Sequence, residues 1–370
     1  MSFYDYKQQY KNIDFEKFAK TVCAEQIKTI LNKDEISEFD FLALLSPAAL
    51  DFIEPMAQKA ADIALKHFGK AIVLFAPLYA SNFCINNCAY CGFSTRNDIE
   101  RKILNLDEVE ENAKIVSGFG IRHILLLTGE SAVKTSMDYL KSCVKILKRY
   151  FDAVDIEIYP LTEDGYKELG EAGVEGLTVF QETYNEDLYK ILHTKGAKAN
   201  YRFRLETCER AGRAGYRNLN IGALLGLDDF SRELFFTGIH AKFLQKNFPS
   251  SDIGVSFPRI RKAEGGYQPR TVIADSNLVQ AIAAIRLFVH RIGITISTRE
   301  NNDLRRNLIG LGITKMSAAS NTQVGGYAKK GNTKGQFEIS DSASVKEVKD
   351  MIYQKNYQPV LKDWMQMNGR

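Results

Sequence analysis

The stretch AIVLFAPLYASNFCINNCAYCGFS, residues 71–94, joins an apolar run to a loop that holds three of the chain's six cysteines. The run 71–79 is rich in β-branched and aromatic residues and is typical of a buried strand. The cysteines follow with the spacing Cys84-x3-Cys88-x2-Cys91. Because reactive groups of parallel α/β barrels collect after the carboxyl ends of strands, this stretch indicates both a fold and the place of its chemistry.

Seven more segments with strand composition follow the first one. Longer segments with apolar residues at helical spacing, such as 106–120, 137–151 and 202–215, separate them. Strands that alternate with helices predict a parallel sheet, and eight such units predict an α/β fold closed into a (β/α)8 TIM barrel. The eight predicted strands are 71–79, 123–130, 153–160, 175–183, 217–226, 252–259, 293–300 and 312–320.

The predicted barrel covers residues 71–325 and has an extension on each side. Residues 1–70 have helical patterns, with expected breaks near Pro47 and Pro55, and predict an N-terminal helical cap. Residues 326–370 predict a loop rich in Gly, Asn and Thr, then one short helix and a polar end.

Composition excludes several classes of partner. The chain has 370 residues with 49 basic and 45 acidic side chains mixed along it, so it offers no basic stripe for nucleic acid. No stretch reaches about 18 consecutive apolar residues, which predicts no membrane span. The first residues lack a signal peptide pattern, which predicts a cytoplasmic protein. Thiols stay reduced there, so clustered cysteines are expected to bind metal or act in catalysis.

Polar side chains recur where the predicted strands end, at one mouth of the barrel. Glu130 follows the second strand, Glu182 the fourth and Arg299 the seventh, while Ser317 and Ser320 close the eighth. A single glutamate at a strand end is more often a surface or helix-capping group, and Arg299 alone is equally well explained as a solvated side chain. Their convergence predicts a polar pocket.

The three clustered cysteines need a different explanation from the other three. Cys23, Cys143 and Cys208 fall in helical patterns and are predicted to be core thiols. A structural zinc site usually takes four ligands, and the loop has no fourth Cys or His. A complete [4Fe–4S] cluster normally takes four thiolates. Three thiolates would leave one iron open to a substrate or a cofactor.

The cysteine spacing, with Tyr90 just before the last cysteine, resembles the signature of the radical S-adenosylmethionine (SAM) enzymes. From about residue 70 to 330, a series of segments also resembles the aromatic amino acid lyase branch of that family, and within it the ThiH-type tyrosine lyases of thiamine thiazole synthesis. These segments are PLYASNFCINNCAYCGFS, HILLLTGE, VFQETYNEDLYKILHTKG, YRFRLETCERAGRAGYRNLNIGALLGL, SFPRIR, STRE and MSAASNTQVGGYA.

The resemblance implies an activity, cofactors and partners. The reaction would be cleavage of the Cα–Cβ bond of L-tyrosine to 2-iminoacetate (dehydroglycine) and p-cresol, with SAM split to methionine and 5′-deoxyadenosine. The cofactors would be a [4Fe–4S] cluster and SAM. The partners would be the thiazole synthase ThiG, which uses the imine, and a flavodoxin or ferredoxin-type reductant.

The resemblance also implies roles for single residues. Glu130 would meet the amino group of SAM, Arg204 its carboxylate and Tyr90 its adenine, and Glu182 its ribose or methionyl part. Arg299 would pair with the carboxylate of the substrate. The implied assignments are Cys84, Cys88 and Cys91 for the cluster, Tyr90, Glu130, Glu182 and Arg204 for SAM, and Tyr79, Arg299, Ser317 and Ser320 for the substrate.

Three other interpretations remain at this point. A tryptophan lyase would share the same motifs. A tyrosine lyase of hydrogenase maturation would carry further cysteines after the barrel, whereas the last cysteine here is Cys208. A non-enzymatic metal-binding barrel would use the cysteines only as ligands. The chain also departs from the branch at Lys262, where a proline is expected, so the loop after the sixth strand is expected to differ in shape.

Overall fold

The computed structural model describes residues 1–328 and 333–362 and contains a closed barrel of eight parallel strands surrounded by helices. Each strand pairs with the next, and the eighth returns to the first, where Lys315 is in register with Val73. The predicted (β/α)8 TIM barrel of the α/β class is confirmed. The strands are β1 (Ala71–Ser81), β2 (His123–Thr128), β3 (Ala153–Glu157), β4 (Gly176–Glu182), β5 (Asn218–Ala223), β6 (Asp252–Ser256), β7 (Gly293–Ile296) and β8 (Lys315–Ser317).

The register between strands gives the barrel its stagger. Pro77 of β1 pairs with Leu125 of β2, and the same register continues through Asp155, Gly176 and Asn218 to β6. When this register is continued through β7 and β8, it reaches β1 again at position 69. Position 69 lies eight residues before Pro77, the starting position (77 − 69 = 8). The stagger is therefore one residue per strand, and inward side chains form layers drawn from alternate strands.

Helices cover the outside of the barrel, as the helical spacing between strands predicts. The predicted helix 202–215 is two helices, because Glu206 interrupts it. The helices that follow β1 in the chain are α6 (Leu106–Gly118), α7 (Met137–Leu147), α8 (Glu163–Ala172), α9 (Glu186–Leu192), α10 (Tyr201–Leu205), α11 (Thr207–Arg213), α12 (Phe230–Asn247), α13 (Asp275–Phe288), α14 (Asn302–Leu308) and α15 (Val345–Gln354).

The N-terminal residues form five helices that pack against α12 and α13 on one side of the barrel. The ring of Phe41 stacks on Phe288 of α13 at 4.5 Å between centroids, and Gln280 of α13 donates hydrogen bonds to the carbonyls of Leu44 and Ser46. These five helices are α1 (Phe3–Lys7), α2 (Phe15–Thr21), α3 (Ala24–Leu31), α4 (Glu38–Leu44) and α5 (Ile53–Phe68), with 3-10 turns at Gln8–Tyr10 and Pro47–Phe52.

The two prolines of this region behave differently. Pro47 begins a 3-10 turn and separates α4 from α5, so the predicted break there is confirmed. The predicted break near Pro55 is wrong, because Pro55 lies in the first turn of α5. The backbone N–H groups of a first turn have no helical partner, so a proline there costs no hydrogen bond.

The C-terminal segment adds a strand that the sequence pattern does not predict. After the predicted helix, here α15, the segment Gln358–Val360 forms β9, parallel to the start of β1. The backbone N–H of Arg122, just before β2, donates to the carbonyl of Leu361. The strand thus lies between the starts of β1 and β2. A three-residue segment with a central proline carries no strand signal. The rest of the expected polar end, residues 363–370, lies outside the described residues.

No helix in the described part of the chain has the length and apolar character needed to cross a bilayer.

The contact between the N-terminal helices and α12 depends on a missing side chain at Gly238. A Cβ at this position would lie 2.4 Å from the ring of Phe41, which is itself held by its stacking on Phe288. We expect Gly238→Ala to lower the free energy of unfolding by about 1–3 kcal/mol through overpacking. Urea denaturation under anaerobic conditions measures this change.

The matched control is Gly118→Ala at the exposed end of α6, where nothing lies within 4 Å of the added Cβ. There we expect a gain of up to about 1 kcal/mol, because alanine is the better helix former. Equal effects of the two substitutions would contradict the packing account.

Candidate active site

The cysteine loop after β1 has no regular secondary structure and is shaped by two side chains. Arg101 donates to the carbonyls of Asn82 and Phe93 at 2.9 and 2.8 Å, and also to that of Ser94 at 2.7 Å. Asn97 donates to the carbonyl of Cys91 at 3.1 Å. The loop is thus fixed from within by groups that sequence reasoning did not single out.

The three loop cysteines are free thiols at the mouth of the barrel. Cys88 is buried, whereas Cys84 and Cys91 are partly exposed. Burial and, to a smaller extent, the neighbouring Cys84 raise the pKa of Cys91 to about 11, so the thiols lie close enough to repel as thiolates. Backbone N–H groups of Asn86 and Glu130 point at Cys84 and lower its pKa against the larger effect of burial.

The cysteine arrangement does not resemble a site for one metal ion. Within residues 1–328 and 333–362, no three His, Cys, Asp or Glu side chains converge as a mononuclear site would require. An iron-sulfur cluster binds each thiolate to a different iron, so its ligands are spread more widely. Three free thiols on one loop therefore fit a cluster better than a single ion.

The cysteines outside the loop do not join this site. Cys143 and Cys208 are fully buried in the hydrophobic core, as predicted. The prediction for Cys23 is wrong, because Cys23 is exposed. It is the N-cap of α3, one residue before the helix begins. An N-cap lies just outside the helical pattern, so the spacing of apolar residues does not reveal that its side chain faces solvent.

A buried network of four charged side chains lies beside the cysteine loop. Arg204 donates to Glu130 at 2.8 Å and lies 3.7 Å from Glu182. Lys198 donates to Glu182 at 2.5 Å, and Asn86 of the cysteine loop donates to the second oxygen of Glu130. Glu130, Glu182 and Arg204, which the sequence predicts for one site, are therefore in contact, while Lys198 was missed.

The charges of this network balance, with two acidic and two basic groups. Burial and Arg204 lower the pKa of Lys198, but Glu182 and other acidic groups outweigh them, so its pKa is raised and the amine stays charged. Glu182 also has a left-handed backbone, with φ at 71°. Such a conformation costs a non-glycine residue about 1 kcal/mol or more and here turns the chain at the end of β4.

Tyr90 lies in an apolar cluster next to this network. Its hydroxyl donates to Nε2 of His193 at 2.7 Å, because Nδ1 of His193 carries its hydrogen toward the carbonyl of Tyr189. Burial and, to a smaller extent, the positive charge of Lys198 lower the pKa of His193 to about 2, so the imidazole is neutral. The pairing of Tyr90 with His193 is visible only in the fold.

The four residues predicted for the substrate line one cavity of about 470 Å³ in the barrel. The hydroxyl of Tyr79 donates to Gln336 at 2.8 Å. The guanidinium of Arg299 stacks on Phe337, with its carbon 3.4 Å from the ring centroid. The four predicted residues in this cavity are Tyr79, Arg299, Ser317 and Ser320.

The two serines are linked at the end of β8. Ser320 donates to the hydroxyl of Ser317 at 3.2 Å, and the backbone N–H of Thr298 donates to the same oxygen. Ser317 is thus held by the loop after β7 that also carries Arg299. The two strand ends form a single wall of the cavity.

The segment after the barrel lies over the mouth and contributes groups that the sequence did not reveal. Gln336 contacts Tyr79, and its amide lies 3.9 Å from the sulfur of Cys91. A Cβ at Gly92 would lie 2.7 Å from the carbonyl oxygen of Gln336, so this glycine permits a close approach of two backbones. The only hint in the sequence was the loop composition of this segment.

Lys262, the departure from the branch pattern, joins this same segment. Its carbonyl accepts from the backbone N–H of Glu338, and its amine pairs with the Glu338 carboxylate at 3.1 Å. Lys262 therefore connects the loop after β6 to the segment that covers the mouth. Glu300, at the end of the STRE segment, is buried and pairs with Arg259 and Arg261.

Glu157 is a further acidic group in the cavity. It is in register with Leu127, which is in register with Tyr79. Burial and, to a smaller extent, the negative charge of Glu182 raise the pKa of Glu157 to about 7, against the opposing effect of Arg299. As one glutamate at a strand end, it carried no signal in the sequence.

Comparison with known proteins gives this geometry a family. Residues 78–235 match the radical SAM superfamily, and residues 256–358 match the Biotin and Thiamin Synthesis associated domain. The chain is 39% identical over 348 residues to the 2-iminoacetate synthase of Salmonella typhimurium strain LT2, across 94% of this chain and 92% of that protein. The chain belongs to the 2-iminoacetate synthase family. The Escherichia coli K12 member is 38% identical over the same shares of both proteins.

A solved structure supports the same branch of radical SAM enzymes. The 2-iminoacetate synthase fold seen here matches HydG, a maturase of the [FeFe]-hydrogenase, with a TM-score of 0.88 and 31% sequence identity. The match covers 94% of this chain and 78% of HydG. Radical SAM enzymes use a [4Fe–4S] cluster and SAM, so family membership confirms the predicted cofactors and excludes the non-enzymatic barrel.

The raised pKa of Glu157 predicts how stability depends on pH. Its ordinary value is 4.5, so between about pH 4.5 and 7 the unfolded chain loses this proton before the folded chain does. The free energy of unfolding must fall as pH rises through this window, by up to about 3 kcal/mol from this group. We expect Glu157→Gln to flatten the pH dependence, measured by urea denaturation from pH 5 to 8.

Glu171→Gln is the matched control, because Glu171 is exposed on α8. This variant should keep the slope of the unmodified protein. An equally steep slope in Glu157→Gln would show that the burial of Glu157 has no such effect.

Proposed function

We propose that this chain is a radical SAM lyase that cleaves the Cα–Cβ bond of L-tyrosine to 2-iminoacetate and p-cresol. The observation that carries the proposal is one barrel mouth that joins three free thiols, a charge-balanced ion network and a cavity with an arginine at its rim. Identity of 39% to a 2-iminoacetate synthase over 94% of the chain supports this reaction over tryptophan cleavage.

Cys84, Cys88 and Cys91 would hold the [4Fe–4S] cluster. When bound, the cluster and SAM would supply the one-electron chemistry needed to remove a hydrogen atom from the substrate amine. The chain's contribution is to fix the three thiols on a loop that Arg101 and Asn97 hold in shape.

The ion network suits the methionyl part of SAM, which carries one ammonium and one carboxylate. Glu130 would accept from the amino group, and Arg204 would bind the carboxylate through its planar fork of donors. Glu182 would contact the ribose or methionyl part, and Tyr90 would lie along the adenine. A network with equal positive and negative charge takes up a zwitterion without leaving a buried charge unpaired.

Arg299 and Tyr79 would bind the substrate amino acid, assisted by Ser317 or Ser320. Stacking on Phe337 restricts the guanidinium of Arg299, so little side-chain entropy remains to be lost when it binds a carboxylate. Fixing the carboxylate positions the amine and the Cα–Cβ bond for reaction. The segment that carries Gln336 and Phe337 would exclude water from the cavity.

We also propose partners and a location for this activity. The imine is hydrolysed by water, so direct transfer to the thiazole synthase ThiG would protect it. A flavodoxin or ferredoxin-type protein would supply the electrons. A reducing cytoplasm would keep the three cluster thiols reduced.

The test begins with anaerobic reconstitution using iron and sulfide, followed by reduction and incubation with SAM and L-tyrosine. We expect chromatography to detect both p-cresol and 5′-deoxyadenosine. Cys88→Ala should lose both products by at least about 100-fold and should bind less iron, because one ligand of the cluster is gone. Cys23→Ala should retain both, since Cys23 is exposed at the start of α3 and is not part of the loop.

Two outcomes would contradict the proposal. Neither product from unmodified protein with an intact cluster would reject the lyase activity. Deoxyadenosine formed without p-cresol would reject tyrosine as the substrate, and L-tryptophan would be tested next.

A second prediction concerns Arg299. Arg299→Lys keeps the positive charge but loses the bidentate geometry, so we expect KM for L-tyrosine to rise about 10- to 100-fold. The control is Arg291→Lys, since Arg291 lies at the opposite, amino-terminal end of the same cavity and is exposed. Similar KM values for the two variants would mean that Arg299 does not bind the substrate carboxylate.

A further inference from the structure

Below Arg299, three polar side chains on neighbouring strands form a group that we call the polar belt. It consists of Thr178 on β4, Asn220 on β5 and Ser256 on β6, all of which line the cavity. Asn220 donates through Nδ2 to Ser256 at 2.9 Å and faces the hydroxyl of Thr178 at 3.5 Å. Three strands thus bring their polar groups to one place.

The opposite wall of the cavity is apolar over the same depth. It is lined by Phe75 and Pro77 of β1 and by Leu125 and Leu127 of β2. An aromatic ring that enters from the mouth would lie against these side chains. Such a wall holds a ring by area and leaves its polar end to be recognised elsewhere.

Asn220 has an acceptor that nothing in the described chain uses. Its Oδ1 is buried and has no hydrogen-bond partner among the described residues, while its Nδ2 is held by the belt. A buried carbonyl oxygen without a donor costs about 1–3 kcal/mol. Asn220 also lines the cavity, so a rotation of its amide would bring this acceptor to a hydroxyl bound there.

Two glycines allow neighbouring groups to pack closely around the belt. A Cβ at Gly254 would lie 2.9 Å from Oδ1 of Asn220, and a Cβ at Gly222 would lie 2.3 Å from the carbonyl oxygen of Ser256. Gly254 is on β6 and Gly222 is on β5, two of the strands that carry the belt. Any larger residue at either position would push against Asn220 or the backbone of Ser256 and displace the belt.

The belt lies deeper in the barrel than Arg299. Ser256 of β6 is in register with Thr295 of β7, and Arg299 follows Thr295 by four residues. Because the stagger is one residue per strand, Arg299 lies three residues higher along the barrel axis than Ser256. With a rise of about 3.3 Å per residue and a tilt of about 36°, three residues span at most about 8 Å. A tyrosine held by its carboxylate at Arg299 would therefore extend its ring into the barrel, toward the belt.

We propose that the polar belt binds the phenol hydroxyl of the substrate and selects tyrosine over phenylalanine. The phenol O–H donates to Oδ1 of Asn220, and the hydroxyl of Ser256 donates to the phenol oxygen. Arg299 holds the other end of the molecule. This inference rests on the proposed tyrosine lyase function and names the groups that read its substrate.

The discrimination has a physical basis in the unpaired acceptor. Phenylalanine fits the same apolar wall but leaves Oδ1 of Asn220 without a donor inside a closed cavity. A site built around a hydroxyl rejects the analogue that lacks it more strongly than an apolar pocket rejects a missing methylene. The belt thus acts on specificity and leaves cleavage of SAM unaffected.

The experiment measures binding separately from turnover. Reconstituted full-length protein with SAM and without reductant is dialysed to equilibrium against radiolabelled L-tyrosine or L-phenylalanine. We expect Asn220→Ala to weaken L-tyrosine binding about 10- to 100-fold and to change L-phenylalanine binding less than about threefold. Ser256→Ala should shift tyrosine binding in the same direction by a smaller factor.

The matched control is Asn218→Ala, which removes the same amide from the same strand two residues nearer the amino-terminal end of the cavity. It should leave the affinities for both amino acids unchanged. Iron content and the circular dichroism spectrum confirm that each variant is folded and loaded. Should Asn220→Ala fail to fold, Ser256→Ala and Thr178→Val provide the same comparison.

Equal weakening of tyrosine and phenylalanine in Asn220→Ala would overturn the inference, because it would indicate a structural role. Unchanged tyrosine affinity would also overturn it. These results are distinct from failure of the lyase function, since p-cresol from the unmodified protein tests that function by itself.

Discussion

The backbone pairing of β8 with β1 is the constraint on which the rest of the molecule depends. Val73 is in register with Lys315, and its N–H donates to the carbonyl of Thr314 at 2.9 Å. This pairing closes the sheet with a stagger of eight residues and leaves no open edge in the eight-stranded barrel. Closure brings the carboxyl ends of all strands to one mouth. Residues as distant in sequence as Tyr79 and Gln336, 257 positions apart, meet there.

Electrostatics at this mouth follow from burial. Arg204, Glu182 and Lys198 are each less than 10% exposed, and each would be expensive to bury alone. Together with Glu130 they form a balanced group, so the protein can keep charges ready for a zwitterionic ligand. Glu157 and His193, which have no such balance, respond by shifting their pKa toward the neutral form. Burial therefore leaves the paired groups of the ion network charged, whereas it favours the neutral forms of Glu157 and His193.

The sequence predicted the parts of the site that local pattern encodes. Eight strand segments, the cysteine spacing and the residues after the strand ends identified Cys88, Glu130 and Arg299 as groups of one mouth. It did not predict Lys198, whose position depends on the turn after α9, or Gln336, which lies in a loop after the barrel. It also missed β9, because three residues around a proline carry no periodic signal.

The sequence by itself determined the barrel and the chemical class of its site, because strand and helix periodicity and a cysteine spacing are properties of neighbouring residues. Only the tertiary structure decided which polar groups share a cavity, which of them are buried, and at what depth the lumen changes from apolar to polar. The reason is the closure of the sheet. Register and stagger put Thr178, Asn220 and Ser256 side by side, and no separation along the chain encodes that meeting.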